Sequence, residues 1–170
     1  MSKRITNSTP EDIDDIFNLY EEGTRYQQKM GIKPWLGFER ELVEKEIREG
    51  RQWKILEGEQ IACVFVITFS DPEIWKERDK EPAVYIHRIA TNPQFRGNTY
   101  VSHIVDWAKA YAAAKGKHFI RLDTGSGNGK LNDYYIGCGF TYLGIAEPEG
   151  ADQMPLHYRN GTFSLFEISL

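Results

Sequence analysis

The run Asn92-Pro93-Gln94-Phe95-Arg96-Gly97-Asn98-Thr99 has residue types and spacing that suit an anion. It follows an apolar, strand-like stretch, Ala83 to Thr91, and opens an amphipathic helix. A strand that turns through a short glycine-containing loop into a helix leaves several backbone N–H groups unsatisfied beside the positive end of the helix dipole, and that spot suits a phosphate. Taken alone, the same loop is also what an ordinary strand-to-helix turn looks like. Elsewhere the chemically useful residues do not gather. His87, His103, His118 and His157 show no paired or HExxH spacing and have no cysteine near them in sequence, so no metal site is expected. Ser126, between Gly125 and Gly127, lacks the Gly-x-Ser-x-Gly order of a nucleophile turn and fits a flexible turn. Asp123, ending its strand, reads as structural.

A second segment gives the loop its weight: Asn128-Gly129-Lys130-Leu131-Asn132-Asp133-Tyr134-Tyr135-Ile136-Gly137-Cys138-Gly139-Phe140. With both in view, the chain resembles the GNAT superfamily of acyl-CoA-dependent N-acetyltransferases. That superfamily reads as a strand ending in a Leu-Ala-Val-like triplet, a Pro, then Arg-Gly-x-Gly-x-Gly/Ala entering a helix, and later an Asn, a Tyr and Gly-Phe. The counterparts here are Ile89-Ala90-Thr91, Pro93, Arg96-Gly97-Asn98-Thr99-Tyr100-Val101, Asn128, Tyr135 and Gly139-Phe140. The resemblance is firm over residues 83 to 145. Thr99 and Val101 depart from it, standing where the pattern has Gly and Gly or Ala, which allow positive φ or close approach of phosphates. A β-branched residue does not take positive φ cheaply, so the loop is expected to run in ordinary α or β dihedrals there, or to bind less closely. The Thr99 hydroxyl is a compensating donor.

The resemblance implies an α/β (α+β) fold: a single GNAT-like domain over residues 1–170, with a mixed, mostly antiparallel sheet of about six to seven strands flanked by about four helices. It implies acetyl-CoA (coenzyme A) as cofactor, held where two parallel strands, Ala83–Thr91 and His118–Asp123, splay apart. The backbone of Ile89, Ala90 and Thr91 would pair with the pantetheine amides. The pyrophosphate would rest on amides of Arg96, Gly97, Asn98, Thr99, Tyr100 and Val101. Asn128 caps the next helix, lies on the pantetheine side, or does both.

Acetyl transfer to an amine needs a proton acceptor, because a primary amine of pKa ~10.4 is almost wholly protonated at neutral pH. His87 is the candidate base: alternation puts it on the face of Ile89 and Thr91, and its intrinsic pKa is about 6.5. His87-Arg88-Ile89-Ala90-Thr91 also looks like the arylalkylamine branch of the superfamily, although a lone strand histidine can equally be structural. Tyr135 matches the position of the acid for the departing thiolate, its plain alternative being a core aromatic. Tyr134, turned about 100° away on a helix, is expected to pack. No cysteine is placed for an acyl-enzyme, which leaves direct transfer in a ternary complex. A catalytically silent GNAT-like module that binds acyl-CoA or a metabolite is the alternative. The acceptor is a small-molecule amine or a peptide amine. Tyr26, Trp35, Trp75 and Tyr158 are candidate aromatic walls, and Glu21, Glu22 or Glu73 candidate ammonium partners.

The elements that must position these residues follow from periodicity. Lys3 to Asn7 reads as a first strand. Thr9-Pro10-Glu11-Asp12 is a helix start, with Ile13, Ile16, Phe17 and Tyr20 at helical spacing after it. Gly23 to Gly37 reads as a break or weak helix, and Phe38 to Glu49 as a helix stopped by Gly50. Gln52–Glu57 and Ile61–Ser70 are strands joined at Gly58, rich in β-branched and aromatic residues. The charged insert Asp71 to Pro82 reads as a mobile loop. Val101, Ile104, Val105, Ala108 and Ala112 form one apolar stripe, with His103 and Trp107 off its centre and Gly116 as the stop. His118–Asp123 is a strand, Leu131–Cys138 a short helix and Phe140–Ile145 a strand. Asn160-Gly161 is a turn signal, and Phe163–Leu170 alternates well enough to close the sheet. As an exposed edge strand, that last segment is a candidate homodimer contact.

Composition sets the remaining bounds. A chain of 170 residues buries roughly 70% of the surface its unfolded form exposes and needs no staples. Cys63 and Cys138 sit in apolar surroundings without CxxC spacing, as buried free thiols in a reducing compartment would. Residues 1–12 contain no apolar leader, and Ile61 to Phe69 is too short to cross a bilayer, so a cytoplasmic protein with no membrane partner is expected. The net charge of −4 argues against a nucleic acid partner, which would need a basic face.

Overall fold

A computed structural model describes residues 3–31, 34–35, 37–147 and 161–170 of the chain. His157, Tyr158 and Asn160 lie outside the described residues. The chain divides into two compact units, Met1–Ile67 with His87–Tyr100 and Thr68–Ile86 with Val101–Leu170.

The first unit begins with strand β1 (Lys3–Asn7), and Thr9 then starts the helical region. The Thr9 amide donates to Asp12 Oδ2 at 2.8 Å, and Pro10 opens a short 3-10 turn, Pro10–Asp12. Helix α1 (Ile13–Lys29) follows, burying Ile13, Ile16, Leu19 and Tyr20 along one face. It runs unbroken through Gly23 to Lys29, the helical one of the two readings, break or weak helix, of the segment from Gly23. The glycine has a packing role instead: a Cβ there would stand 2.9 Å from the Trp35 ring. Helix α2 (Arg40–Arg48) buries Val43 and Glu46. Strands β2 (Gln52–Glu57) and β3 (Gln60–Thr68) form a hairpin, and β2 also pairs antiparallel with β1. Ile16, Leu19, Tyr20, Val43, Val64 and Ala90 make the core, with Trp35 and Phe38 packed against it. Fully burying side chains of this size is worth about 1.5–3 kcal/mol each.

In the second unit the expected loop at Asp71–Pro82 is ordered, as helix α3 (Pro72–Trp75) and a 3-10 turn, Lys76–Lys80. The reason is Asp79, whose carboxylate accepts from Ser70 Oγ (3.0 Å), the Asp71 amide (2.7 Å) and Tyr85 Oη (2.7 Å). Trp75, 2% exposed, joins Ile74, Ala83, Tyr85, Phe163 and Leu165 in the core. Strand β4 (Ala83–Thr91) starts in this unit, and helix α4 (Tyr100–Ala114) buries Val101, Ile104, Val105, Ala108 and Ala112 as the stripe required. Strand β5 (Phe119–Gly125), helix α5 (Gly129–Gly137) and strands β6 (Thr141–Ala146) and β7 (Phe163–Ser169) complete it. Arg121 on β5 is wholly buried. It donates to Glu81 (2.6 Å), Glu167 (2.8 Å), the Arg78 carbonyl (2.8 Å) and Tyr85 Oη (3.1 Å), between the Trp75 and Phe119 rings.

Among the described residues, seven strands follow the order β1-β2-β3-β4-β5-β7-β6, a mixed and mostly antiparallel sheet as expected, with one helix more than the expected four because of α3. Parallel pairing of β4 with β5 runs from Ala83–Phe119 to Tyr85–Arg121. β5 then continues to Gly125 paired with β7. β7 is not the exposed edge expected of Phe163–Leu170: it pairs antiparallel with β5 on one side and β6 on the other. The homodimer contact proposed for that edge therefore loses its basis.

Candidate active site

Within the first unit, Arg88 of β4 stands at φ +50. A left-handed residue inside a strand turns the chain out of the regular pleat, as it does in a G1 bulge, and interrupts the two-residue alternation. The face that His87 presents is therefore set by the turn at Arg88 and not by simple counting to Ile89 and Thr91. Ala90 is buried in the core, whereas His87, Ile89 and Thr91 are half-buried. The Thr91 hydroxyl donates to Cys63 Sγ at 3.7 Å. Burial pushes the Cys63 thiol up to about 12, so it stays protonated and inert.

The loop after β4 is pinned at its start by Asn92. The Asn92 amide donates to the Ala62 carbonyl (2.7 Å), its side-chain Nδ2 to the Ile61 carbonyl (3.1 Å), and its Oδ1 accepts from the Gln94 amide (3.1 Å). A 3-10 turn, Pro93–Phe95, leads to Gly97 at φ +91 and Thr99 at φ +49. Thr99 thus adopts the positive φ that its β-branched side chain was expected to avoid. The cost, of order 1–2 kcal/mol for an L-residue in the left-handed region, is the price of entering α4 one residue later. Among the described residues the backbone amides of Gly97, Asn98 and Thr99 make no turn hydrogen bond. A Cβ on Gly97 would meet nothing within 4 Å, so the loop faces open space on that side. Arg96 lies over the Tyr26 ring, 4.3 Å from its centroid. Tyr100 turns its hydroxyl inward to Glu57 Oε1 (2.9 Å), and Val101 is 8% exposed in the first turn of α4, so each offers a ligand only its main chain.

In the second unit Asn128 caps α5, its Oδ1 accepting from the Leu131 amide at 3.1 Å. The cap orients Tyr135, which is 9% exposed and packs edge-on to Phe140 and tilted against Phe166. Tyr134, expected to pack, is instead the outward residue, 39% exposed.

Residues 13–140 match the model of the Acetyltransferase (GNAT) family. The chain belongs to this family. An uncharacterised N-acetyltransferase of Bacillus subtilis (strain 168), YesJ, is 22% identical over 142 residues, 79% of each chain. A GNAT-family acetyltransferase from Listeria monocytogenes 4b F2365 superposes with a TM-score of 0.78 at 24% identity, over 99% of this chain and 95% of that one. One from Streptococcus agalactiae 2603 gives 0.76 at 20% identity over the same shares. These two are likenesses of fold. Membership makes the protein an acetyl-CoA-dependent acyltransferase. No described helix is long and apolar enough to cross a membrane.

The GNAT acceptor candidates fare unequally. Tyr26 is 41% exposed. Trp35 is half-buried and packs edge-on against Tyr20 and Phe38. Trp75 is a core residue, closed off from solvent by Ile74, Tyr85 and Arg121, which corrects its assignment as a substrate contact. A pair missed in the sequence is Asp71, before α3, and Asp123 on β5, which offer carboxylate oxygens within 4.8 Å of each other. Burial pushes both carboxyls well above the usual range, and the charges of Asp123, Glu73 and Asp79 raise Asp71 further. Nothing in the spacing could reveal the pair, since packing between the segment before α3 and β5 brings it together.

Proposed function

We propose that the protein transfers the acetyl group of acetyl-CoA to a primary amine, of a small molecule or a peptide, by direct attack in a ternary complex. The observation that carries the reading is the loop at Arg96–Val101: two positive-φ residues, Gly97 and Thr99, and three amides without turn partners, leading into a 15-residue helix. The residues fit the cofactor. Amides of Arg96, Gly97, Asn98, Thr99, Tyr100 and Val101 would hold the pyrophosphate, and the main chain of Ile89, Ala90 and Thr91 the pantetheine arm; Asn128, which caps α5, is a further cofactor contact in this reading. When bound, acetyl-CoA supplies an activated acetyl thioester. Tyr135 holds a proton at its hydroxyl for the departing thiol, and the His87 imidazole accepts one from the incoming ammonium. The family match spans parts of both units, which supports reading residues 1–170 as one acetyltransferase domain. Two free cysteines fit a reducing, cytoplasmic setting.

Thermal unfolding across an acetyl-CoA titration tests the reading. Cofactor at ~100 times its dissociation constant adds about 2.7 kcal/mol and lifts the midpoint by several degrees. Gly97→Trp should blunt that shift, and an unaltered shift in this variant would move the cofactor off the loop. The raised carboxyl pair favours a second assignment for the base, Asp123 with Asp71, because a group that titrates near neutrality suits proton acceptance. The pH dependence of turnover separates the two: the limb set by the base disappears in His87→Gln under the first assignment and in Asp123→Asn under the second.

A further inference from the structure

Among the described residues, Arg88 is the non-glycine residue that takes positive φ inside a strand. Its side chain, 7% exposed, forms an ion pair with Glu46 of α2, itself 4% exposed. Arg88 Nη1 also donates to Tyr20 Oη at 3.4 Å, which accepts from Gln52 Nε2 at 3.1 Å, and the guanidinium lies 4.7 Å from the centroid of Phe38. Burial pushes the Glu46 carboxyl up against the pull of Arg88 and Arg51. A buried pair of this kind seldom adds net stability over apolar residues, and its best-attested use is to select one conformation over another. The conformation at stake is the left-handed backbone of Arg88. Without a tether an arginine prefers the extended region, and a strand that straightens there re-aims the main chain beyond it.

We infer that Glu46 is a positioning residue for the cofactor strand: by anchoring Arg88 from α2, it holds Arg88 in the left-handed conformation that presents the Ile89–Thr91 main chain to acetyl-CoA. The inference rests on the reading of Ile89–Thr91 as cofactor contacts. Glu46 itself touches no ligand in this role.

Calorimetric acetyl-CoA affinities of the full chain provide the test, for wild type, Glu46→Gln, and two double variants in which Arg88 also becomes Gly or Ala. Glu46→Gln should weaken binding about tenfold, the scale of one strained residue released. Glu46→Gln with Arg88→Gly should return to within about twofold of wild type, since glycine takes positive φ unaided. Glu46→Gln with Arg88→Ala should stay weak. The doubles lose the same ion pair and differ by one methyl group, so general destabilisation cannot separate them. If the single variant fails to fold, the doubles decide, because neither carries an unpaired buried charge. Equal affinity of the two doubles, or wild-type affinity in Glu46→Gln, overturns the inference while leaving the cofactor assignment intact. A wild-type protein that binds no acetyl-CoA up to millimolar concentration overturns both.

Discussion

Thr99 carries a backbone conformation that its side chain disfavours, and the strain gives a direct prediction. Thr99→Gly should raise stability by about 0.5–1 kcal/mol, moving the midpoint up by roughly 1–4 °C in a chain of this size. Thr99→Ala, which keeps the Cβ, should give no such gain, and differential scanning calorimetry of the pair checks it. Tyr135→Phe should lower turnover about tenfold or more with cofactor affinity unchanged, and full turnover in that variant would leave Tyr135 as a core aromatic. The candidate residues legible in the sequence are those whose roles are local. Asn128 caps the turn that follows it, Gly97 sits in its own loop, and Tyr135 lies two turns into the helix that Asn128 starts. Asp71 with Asp123, and Glu46 with Arg88, were invisible because each pair is made by packing between elements distant in sequence. The Thr99 dihedral was misjudged for a related reason: propensity describes an isolated residue, and the loop must meet both β4 and α4.

Elements were legible where one face is buried against one core. The α4 stripe and the β2–β3 hairpin formed as their periodicity required. Elements failed where a single residue reverses the expectation. Gly23 opens what reads as a break or a weak helix, yet the helix runs through it and the glycine makes room for Trp35, so Gly23→Ala should destabilise the first unit by about 1–3 kcal/mol through overpacking despite its better helix propensity. The charged insert reads as a loop, yet Asp79 ties it to Tyr85 and Arg121 fastens it to β5. Arg121→Ala leaves Glu167 and Glu81 without their partner and should cost about 3–5 kcal/mol. Limited proteolysis near Arg78 should then become fast, whereas continued protection would mean that the Trp75 core holds the insert without the arginine.

For the whole molecule, the Asp71–Asp123 pair sets a slope of stability against pH. Both carboxyls titrate higher in the folded chain than the ordinary Asp value of ~3.9, so the folded state binds more protons from there upward through neutrality. Their contribution is fully present below that value and is lost as pH rises through the folded values. Asp71→Asn should therefore raise the midpoint at pH 8 and leave it nearly unchanged at pH 4. An equal shift at both would show that neither burial nor the charge of Asp123 raises the Asp71 carboxyl. The strand order carries a further consequence, for synthesis. β7 follows β6 in the chain but lies between β6 and β5. A nascent chain elongated only to Ala146 carries β6 with its β7 partner still unmade and β5 with one flank open. At 5–20 residues per second that interval lasts roughly one to five seconds, and during it the emerging polypeptide offers a chaperone the unpaired backbone of β5 and β6.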